Sequence, residues 1–391
     1  MAISQWSVQV FESVTGKVVN NDLPVADFPQ FTRTLNTSGS VSVKLQLGDK
    51  SLGRLLDLRQ ILAPWRYSIA VCYGGYIAQA GPIITSQYDD SSLQLTVTCG
   101  DFWSFLKSRV IWNAGFPPAQ THGTVGDSSN ASLLPMDTAR DVILVNYDLP
   151  SIAAALVTNG TARSGFALPV DVPGTVVGTN TRTYPVYDLA TVYTRLTDIT
   201  GVQGGPDVDF KPYFDLTNPG FIRWSMQIGN PLLNATNTYY WDYGSSCRTL
   251  SLDSDASNMA SAMYAKGNAT ERASTVAYSI NAALVTAGWP ALESVDSAHS
   301  SATDAGTIQS YADGDLGLYS VPVETWTTVV NVDASGAPFG SYDPGSIGVF
   351  TISNGGHIFI PDGNYSQRIL GFSQDSVATV KLLLQAQQGS L

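Results

Sequence analysis

Tyr67-Ser-Ile-Ala-Val-Cys-Tyr73, Gly74-Gly75 and Tyr76-Ile-Ala-Gln-Ala-Gly-Pro-Ile-Ile-Thr-Ser-Gln-Tyr88 open the stretch on which the fold turns. Asp89-Asp-Ser-Ser92 follows, then Leu93-Gln-Leu-Thr-Val-Thr-Cys99 and Gly100-Asp-Phe-Trp-Ser-Phe-Leu-Lys-Ser-Arg109. Gly74 and Gly75 can take the positive φ of a tight hairpin, so two strands meet there. The Asp and Ser side chains of residues 89–92 can bond to nearby backbone and favour a second turn. Leu93, Leu95 and Val97 alternate with Gln94, Thr96 and Thr98, the period of a half-buried strand. The period then changes: Phe102, Trp103, Phe105, Leu106 and Arg109 fall at helical spacing behind Asp101, a candidate N-cap.

Outward from this meander, residues 1–112 read as one antiparallel β unit. Trp6-Ser-Val-Gln-Val-Phe11 alternates, and residues 28–35 and 40–47 make a hairpin around Asn36-Thr-Ser-Gly39. Leu52, Leu55, Leu56 and Arg59 predict a helix covering one end, stopped before Pro64. About six strands and one plugging helix suit a small closed barrel.

Residues 113–214 break the pattern. Gly115 to Pro118 and residues 123–130 are loop-like. Asp137 predicts a helix start, residues 149–157 a second helical piece, and residues 158–183 an excursion with short strands. Asp188 is expected to cap a helix with Leu189, Val192, Tyr193, Leu196 and Ile199 on one face, ending at Gly201. Gly204-Gly205-Pro206-Asp207-Val-Asp-Phe210 then turns the chain into a strand.

Residues 215–250 give strand pieces, including Thr238-Tyr-Tyr-Trp241-Asp-Tyr243. Residues 251–318 are a second insertion: an apolar piece at 259–266, a strand or helix at 274–285, and a helix from Asp304 with Ile308, Tyr311, Ala312 and Leu316 inward. Residues 319–391 return to strands, at 321–332, 347–353, 357–361, 365–372 and 377–384, with Asn354-Gly-Gly356 as a hairpin. The strand carrying Arg368-Ile-Leu-Gly371 parallels Pro82-Ile-Ile-Thr85 of the first unit. The expected fold is therefore β-rich α+β: two small antiparallel β-barrels with mixed α/β insertions. The second barrel is formed by 215–250 and 319–391, split by 251–318.

The meander closed by Gly-Asp-Phe-Trp-x-x-Leu-x-x-Arg resembles the tail-tip hubs, or minor tail proteins, of long-tailed bacteriophages. So do the Gly204-Gly-Pro-Asp-x-x-Phe turn and the terminal meander with Arg368. The relatives of these hubs include the baseplate hubs of contractile-tailed phages and type VI secretion spike hubs. The resemblance implies tail-tube-like barrels and a homotrimeric ring with two barrels per chain. Such a ring adapts a sixfold tail tube to a threefold spike or fibre. It further implies contacts with a tube or distal tail protein, with the C-terminus of a tape measure protein and with spike or fibre proteins. DNA would pass through the lumen without specific binding, and the chain would be assembled in the host cytoplasm into a virion. Gly74, Gly75, Phe102, Trp103, Arg109, Gly204, Gly205, Pro206, Asp207, Trp241 and Arg368 are the structural and interface residues this reading selects.

Composition agrees with an assembly protein. Charged residues are 13% of 391, about half the usual share, and the formal net charge is -12. An acidic surface does not attract nucleic-acid phosphates. The start, Met1-Ala-Ile-Ser-Gln-Trp6, has no basic and apolar leader, and no stretch approaches the roughly 20 apolar residues of a span. Cys72, Cys99 and Cys247 are widely spaced; a Cys72–Cys99 bridge is conceivable, and buried free thiols are the plainer reading. Asn130, Asn234, Asn268 and Asn364 head sequons that occur by chance in so polar a chain.

Enzyme chemistry finds little support. His122, His299 and His357 stand alone, without metal-ligand spacing. No nucleophile elbow or phosphate loop occurs. The carboxylate pairs Asp89–Asp90, Asp207–Asp209 and Asp253–Asp255 could suggest a glycosidase, but turns and caps account for them. We expect no catalysis, metal or cofactor. The alternative function is a receptor-binding module in which Tyr239, Tyr240 and Trp241 stack on host carbohydrate.

Overall fold

A computed structural model describes residues 5–48, 57–111, 125–126, 134–135, 141–162, 167–202, 204–268, 275–297, 304–385 and 387–388. The helix start around Leu52, the Asp137 cap, the loop at 115–118, most of that at 123–130, His122, Asn130 and His299 lie outside the described residues; within 123–130, Val125 and Gly126 are strand, paired in parallel with Leu134 and Pro135. The chain divides into two compact units: Met1–Thr249 with Thr328–Leu383, and Leu250–Thr327 with Leu384–Leu391.

Unit 1 begins with β1 (Trp6–Glu12), β2 (Val18–Asn20), β3 (Gln30–Thr34) and β4 (Ser40–Gln46). Of the expected covering helix, the described residues show α1 (Leu58–Ile61), which starts behind Asp57 and buries Leu58. The quoted meander follows as β5 (Tyr67–Tyr73), β6 (Tyr76–Asp89) and β7 (Gln94–Cys99). Tyr73 faces Tyr76 across the hairpin, where Gly74 has φ 56°. At the second turn the Asp89 carboxylate accepts from the Ser91 amide and hydroxyl and from the Ser92 hydroxyl. The alternation starts later than its pattern suggests. Leu93 has φ 53° and is exposed because it closes the turn; Leu95 is half-buried, and Val97 and Cys99 are buried.

The period change makes α2 (Phe102–Lys107), with Asp101 at its N-cap position. Asp101 does not cap it with its side chain. Its buried carboxylate turns instead to the β3–β4 loop, accepting from Gly39 N at 2.5 Å and Ser38 Oγ at 3.0 Å. Gly81 and Gly100 permit this approach: a Cβ on Gly81 would lie 2.1 Å from the Gly100 carbonyl oxygen.

Between 141 and 249 come β8 (Val142–Tyr147), α3 (Leu149–Thr161), β9 (Val170–Asp171), β10 (Asn180–Tyr184), α4 (Val192–Thr200), β11 (Val208–Phe214), β12 (Ile222–Ile228), β13 (Thr238–Asp242) and the start of β14 (Cys247–Asp255). Two helix expectations are corrected. The run Val142-Ile-Leu-Val145 is a strand paired with β10, as β-branched residues favour. Thr191, not Asp188, caps α4 by accepting from the Thr194 amide. Asp188 ends a 3-10 turn, and Leu189 is exposed with φ 47°. Gly201 does follow α4, but in a right-handed conformation.

The chain re-enters unit 1 within β18 (Val323–Asn331), after three strands of unit 2, and closes with β19 (Ile347–Ile352), β20 (Gly363–Gln374) and β21 (Thr379–Leu384). The expected strand at 357–361 is absent. Asn354 and Gly355 do turn the chain with positive φ, but residues 357–361 form a loop in which His357 Nδ1 accepts from the amides of Phe359 and Ile360.

The main sheet runs β14–β18–β21–β20–β3–β4–β7–β6–β5–β1–β2; off this path β19 pairs β20, and β13 pairs β19. Both ends of the chain therefore share one sheet, joined where Thr34 faces Gly371 and Arg33 faces Phe372. Among the described residues no strand pairing closes either expected barrel. One core lies where α2, α3 and α4 pack on β6, β11 and β12. Phe102 meets Phe210 at 4.6 Å and Trp224 at 5.3 Å, with Leu156 and Leu196 buried beside them. A second aromatic cluster joins Trp6, Phe31, Phe339 and Phe372. Cys72, Cys99 and Cys247 are free and buried.

In unit 2, β15 (Ala262–Lys266) lies between antiparallel β16 (Val276–Ile280) and parallel β17 (Glu293–Asp296). The segment 274–285, open between strand and helix in the sequence, is both: β16, then α5 (Ala282–Thr286). The Asp304 cap holds, accepting from the Thr307 amide at the start of α6 (Ala305–Tyr319), whose Ile308, Ala312 and Leu316 are buried.

Candidate functional site

The turn Gly204-Gly205-Pro206 aims two buried carboxylates into unit 1. Gly204 has φ 71°, and a Cβ on Gly205 would lie 2.4 Å from the Ile199 carbonyl, so the chain leaves α4 through a bend that suits glycine. Asp207 and Asp209 follow on either side of Val208 as β11 begins.

Asp209 meets Arg33 of β3. Arg33 is 1% exposed and donates through Nε to Asp209 Oδ1 at 3.2 Å and through Nη2 to Oδ2. Its Nη1 donates to Tyr76 Oη at 2.9 Å and lies 3.5 Å from Asp343 Oδ1. Tyr76 donates in turn to Asp343 at 3.3 Å, and Lys211 Nζ reaches the other oxygen of Asp343 at 2.5 Å. Burial alone would favour a neutral Arg33; the carboxylate of Asp209, with Tyr76 and Asp343, outweighs it and holds the guanidinium protonated. Burial pushes the Tyr76 phenol well above its ordinary range, so it stays a neutral donor.

Asp207 makes the second half of the clamp. It accepts from Asn36 Nδ2 at 3.0 Å, from the Leu233 amide at 2.9 Å and from Arg368 Nη2 of β20. Asn36 completes a two-way bridge to Val208 through its side chain and its amide. Seven residues after α4 thus tie together the N-terminal hairpin, the Gly74–Gly75 hairpin tip, the Asp343 turn and the C-terminal strand. Every acid here has a cationic partner, so the cluster orients the elements it joins.

Beside it, Gly75, Tyr76, Lys211, Tyr213 and Leu216 line an open groove of about 860 Å³. Its floor carries an exposed ion pair, Arg223 Nη2 to Asp171 Oδ1 at 2.5 Å, with Tyr213 donating to the same carboxylate. Burial would raise the Asp171 pKa, but Arg223 and Tyr213 pull it below the usual carboxylate range.

Of the residues selected from sequence, the structure gathers Gly204, Gly205, Pro206, Asp207 and Arg368 at the clamp, with Gly74 and Gly75 next to its Tyr76. Phe102 and Trp103 belong to the α2 core, and half-buried Arg109 follows that helix, its carbonyl accepting from the Val192 amide. Trp241 is elsewhere and fully buried, stacked on Phe350 at 5.4 Å; it presents no face to a sugar, whereas Tyr240 is exposed. Asp255 binds the Ser257 amide, and Asp89 is spent on its turn. Arg33, Tyr76, Lys211 and Asp343 were missed. Arg33 had a visible signal: it sits at period two between Phe31 and Leu35, on the buried side of its strand. Among the described residues, no group of three His, Cys, Asp or Glu could hold a metal, and no helix is long and apolar enough to cross a membrane.

The fold is that of prophage tail proteins. The 43 kDa tail protein of prophage MuSo2 from Shewanella oneidensis superposes with a TM-score of 0.54 at 13% identity, covering 98% of both chains. A tail protein from Neisseria meningitidis MC58 gives 0.52 at 14% identity, over 98% of this chain and 96% of that one. A type VI secretion component from E. coli, described as similar to T4 tail proteins gp27 and gp5, is a weaker likeness at 0.42 and 9% identity, over 98% of this chain and 74% of that one. No family model and no curated protein matches the sequence.

Proposed function

We propose that this chain is a structural protein of a phage tail, the hub of its tip or baseplate, and not an enzyme. The observation that carries this is the likeness to two tail proteins over essentially the whole of all three chains, insertions included. In this reading three copies form a ring. The two ends of the main sheet curl into barrel-like walls, two per copy, matching a sixfold tube to a threefold spike or fibre. Residues 113–214 and 251–318 reach the neighbours: tube or distal tail protein, tape measure protein, spike or fibre. Three copies carry three times the formal charge of -12, which suits a lumen that DNA crosses without sticking. The clamp of Arg33, Asp207, Asp209 and Arg368 supports a load-carrying wall, since it fastens strands from both ends of the chain.

Particles made without this chain distinguish the hub from a receptor-binding module. Loss of the hub leaves heads without completed tails in electron micrographs. Complete tails that fail only to adsorb to cells would overturn the proposal in favour of carbohydrate binding.

A further inference from the structure

We infer that Asn354 is a site of spontaneous deamidation and that the Asp362 carboxylate holds the reaction back. Asparagine is a chemically labile residue. It is most so before glycine, where no Cβ stands between its side chain and the next amide nitrogen. The chain has two such pairs, Asn159-Gly160 and Asn354-Gly355. The first lies in α3, where the backbone amides are committed to the preceding turn. Gly160 is also buried, and a Cβ on it would stand 2.6 Å from Val192 Cγ2. The second pair lies in the exposed connection between β19 and β20.

The reaction needs only water. The Gly355 amide nitrogen gives its proton to solvent base and attacks Asn354 Cγ. The bond from Cγ to the side-chain nitrogen breaks, ammonia leaves with a proton from solvent, and a cyclic succinimide closes. Water then opens the ring at one of its two carbonyls and leaves aspartate or isoaspartate. Nothing is oxidised or reduced.

The loop restrains the nucleophile. Asn354 and Gly355 have φ 57° and 64°, and the Gly356 amide donates to the Ser353 carbonyl at 3.0 Å. The pair is thus the centre of a tight hairpin turn. The Gly355 amide donates to both oxygens of Asp362, at 3.0 and 3.1 Å. A carboxylate on that N–H favours the protonated amide, and its charge opposes the anion that must form before attack. Farther along, His357 Nδ1 accepts from the amides of Phe359 and Ile360 at 3.2 and 2.9 Å. Attack therefore waits for local opening, and Asp362 sets how often the turn opens. The product reverses this restraint. A new carboxylate at residue 354 adjoins the amide that Asp362 grips, and the like charges disfavour the closed turn. The loop carrying the exposed Ile358 and Phe359 then loses its fixed shape. The inference concerns unit 1 alone and does not rest on the hub reading.

The test ages the purified full chain in mildly alkaline buffer, folded and in guanidinium chloride, beside the variant Asp362→Ala. Peptide mapping by mass spectrometry follows the exchange of the side-chain amide for a carboxyl at each Asn-Gly pair. We expect the two pairs to react at similar rates in guanidinium chloride. In the folded wild type, Asn354 should react ahead of Asn159, yet at least about tenfold more slowly than in the unfolded chain. Asp362→Ala should speed Asn354 by about tenfold, the worth of one hydrogen bond to a charged group. An unchanged rate in the variant, no slowing of Asn354 by folding, or Asn159 reacting first would overturn the inference. Should the variant fold poorly, hydrogen exchange on the wild type decides. A protected Gly355 amide supports the inference, and one that exchanges as fast as in the unfolded chain overturns it.

Discussion

Removing Asp209 should destabilise unit 1 more than removing Asp209 and Arg33 together. Asp209→Ala leaves a guanidinium whose side chain is 2% exposed without the carboxylate that takes two of its bonds. Breaking a buried pair in this way costs about 3–5 kcal/mol. The lower end applies here, because Arg33 keeps the Tyr76 hydroxyl at 2.9 Å and Asp343 at 3.5 Å. Arg33→Met alone strands the opposite charge and should cost a similar amount. The double variant Arg33→Met with Asp209→Leu leaves neither charge and fills the space, so its cost should be about 1 kcal/mol, the Tyr76 hydroxyl having lost one of its two partners. In urea titrations followed by tryptophan emission, a loss of about 3 kcal/mol moves the midpoint by roughly 1 M at a slope near 3 kcal/mol/M. The reasoning fails if Asp209→Ala costs less than about 1 kcal/mol, or if the double variant loses the sum of the two singles.

Asp101 gives a pH test. Burial pushes its carboxyl up to about 7, against the bonds from Gly39 and Ser38 that pull it down. A carboxyl raised above its unfolded value contributes stability that is present below about pH 4 and lost as the pH rises through about 7. The wild type should therefore gain on Asp101→Asn as the pH falls from 8 to 5, by about 2–3 kcal/mol at 1.36 kcal/mol per pKa unit over the two units below 7; a pH-independent difference in urea midpoint contradicts this. Gly81→Ala forces a Cβ to within 2.1 Å of the Gly100 carbonyl oxygen and 2.5 Å of Asp101 Cα. It should cost more than about 3 kcal/mol or prevent folding, and a melting temperature within a few degrees of wild type would show that α2 can move away. Trp241→Ala removes a ring stacked on Phe350 and should cost about 3–5 kcal/mol. On a glycan array, a folded Trp241→Ala protein should match wild type, and a selective loss of one sugar would restore the stacking role.

Local signals were legible and distant partners were not. Gly74-Gly75, the Asp89 turn, the Asp304 cap and the alternation of β4 are decided within a few residues, and the structure follows them. Asp101 and Asp188 show the limit. Each is a sound cap by type, but Asp101 is claimed by a loop 62 residues away, and Thr191 lies closer to the apolar face of α4 than Asp188. The loop at His357 has strand-forming residues, Ile358 and Phe359, yet among the described residues no strand pairs with them and both are exposed. At the clamp, the turn at Gly204 and the acid at Asp207 were readable because glycine and proline punctuate the chain locally. Their partners Arg33 and Arg368 lie 176 and 161 residues from Asp209 and Asp207. Pairing at that range follows from strand order, and strand order is set by the β3–β20 junction that no local pattern announces.

The number of copies that assemble is the most direct measurement. Light scattering of the purified protein, or of tips released from particles, should give three times the 41.7 kDa chain mass with threefold symmetry in averaged images. A single copy per tip, or a stable monomer within completed tails, would contradict the ring.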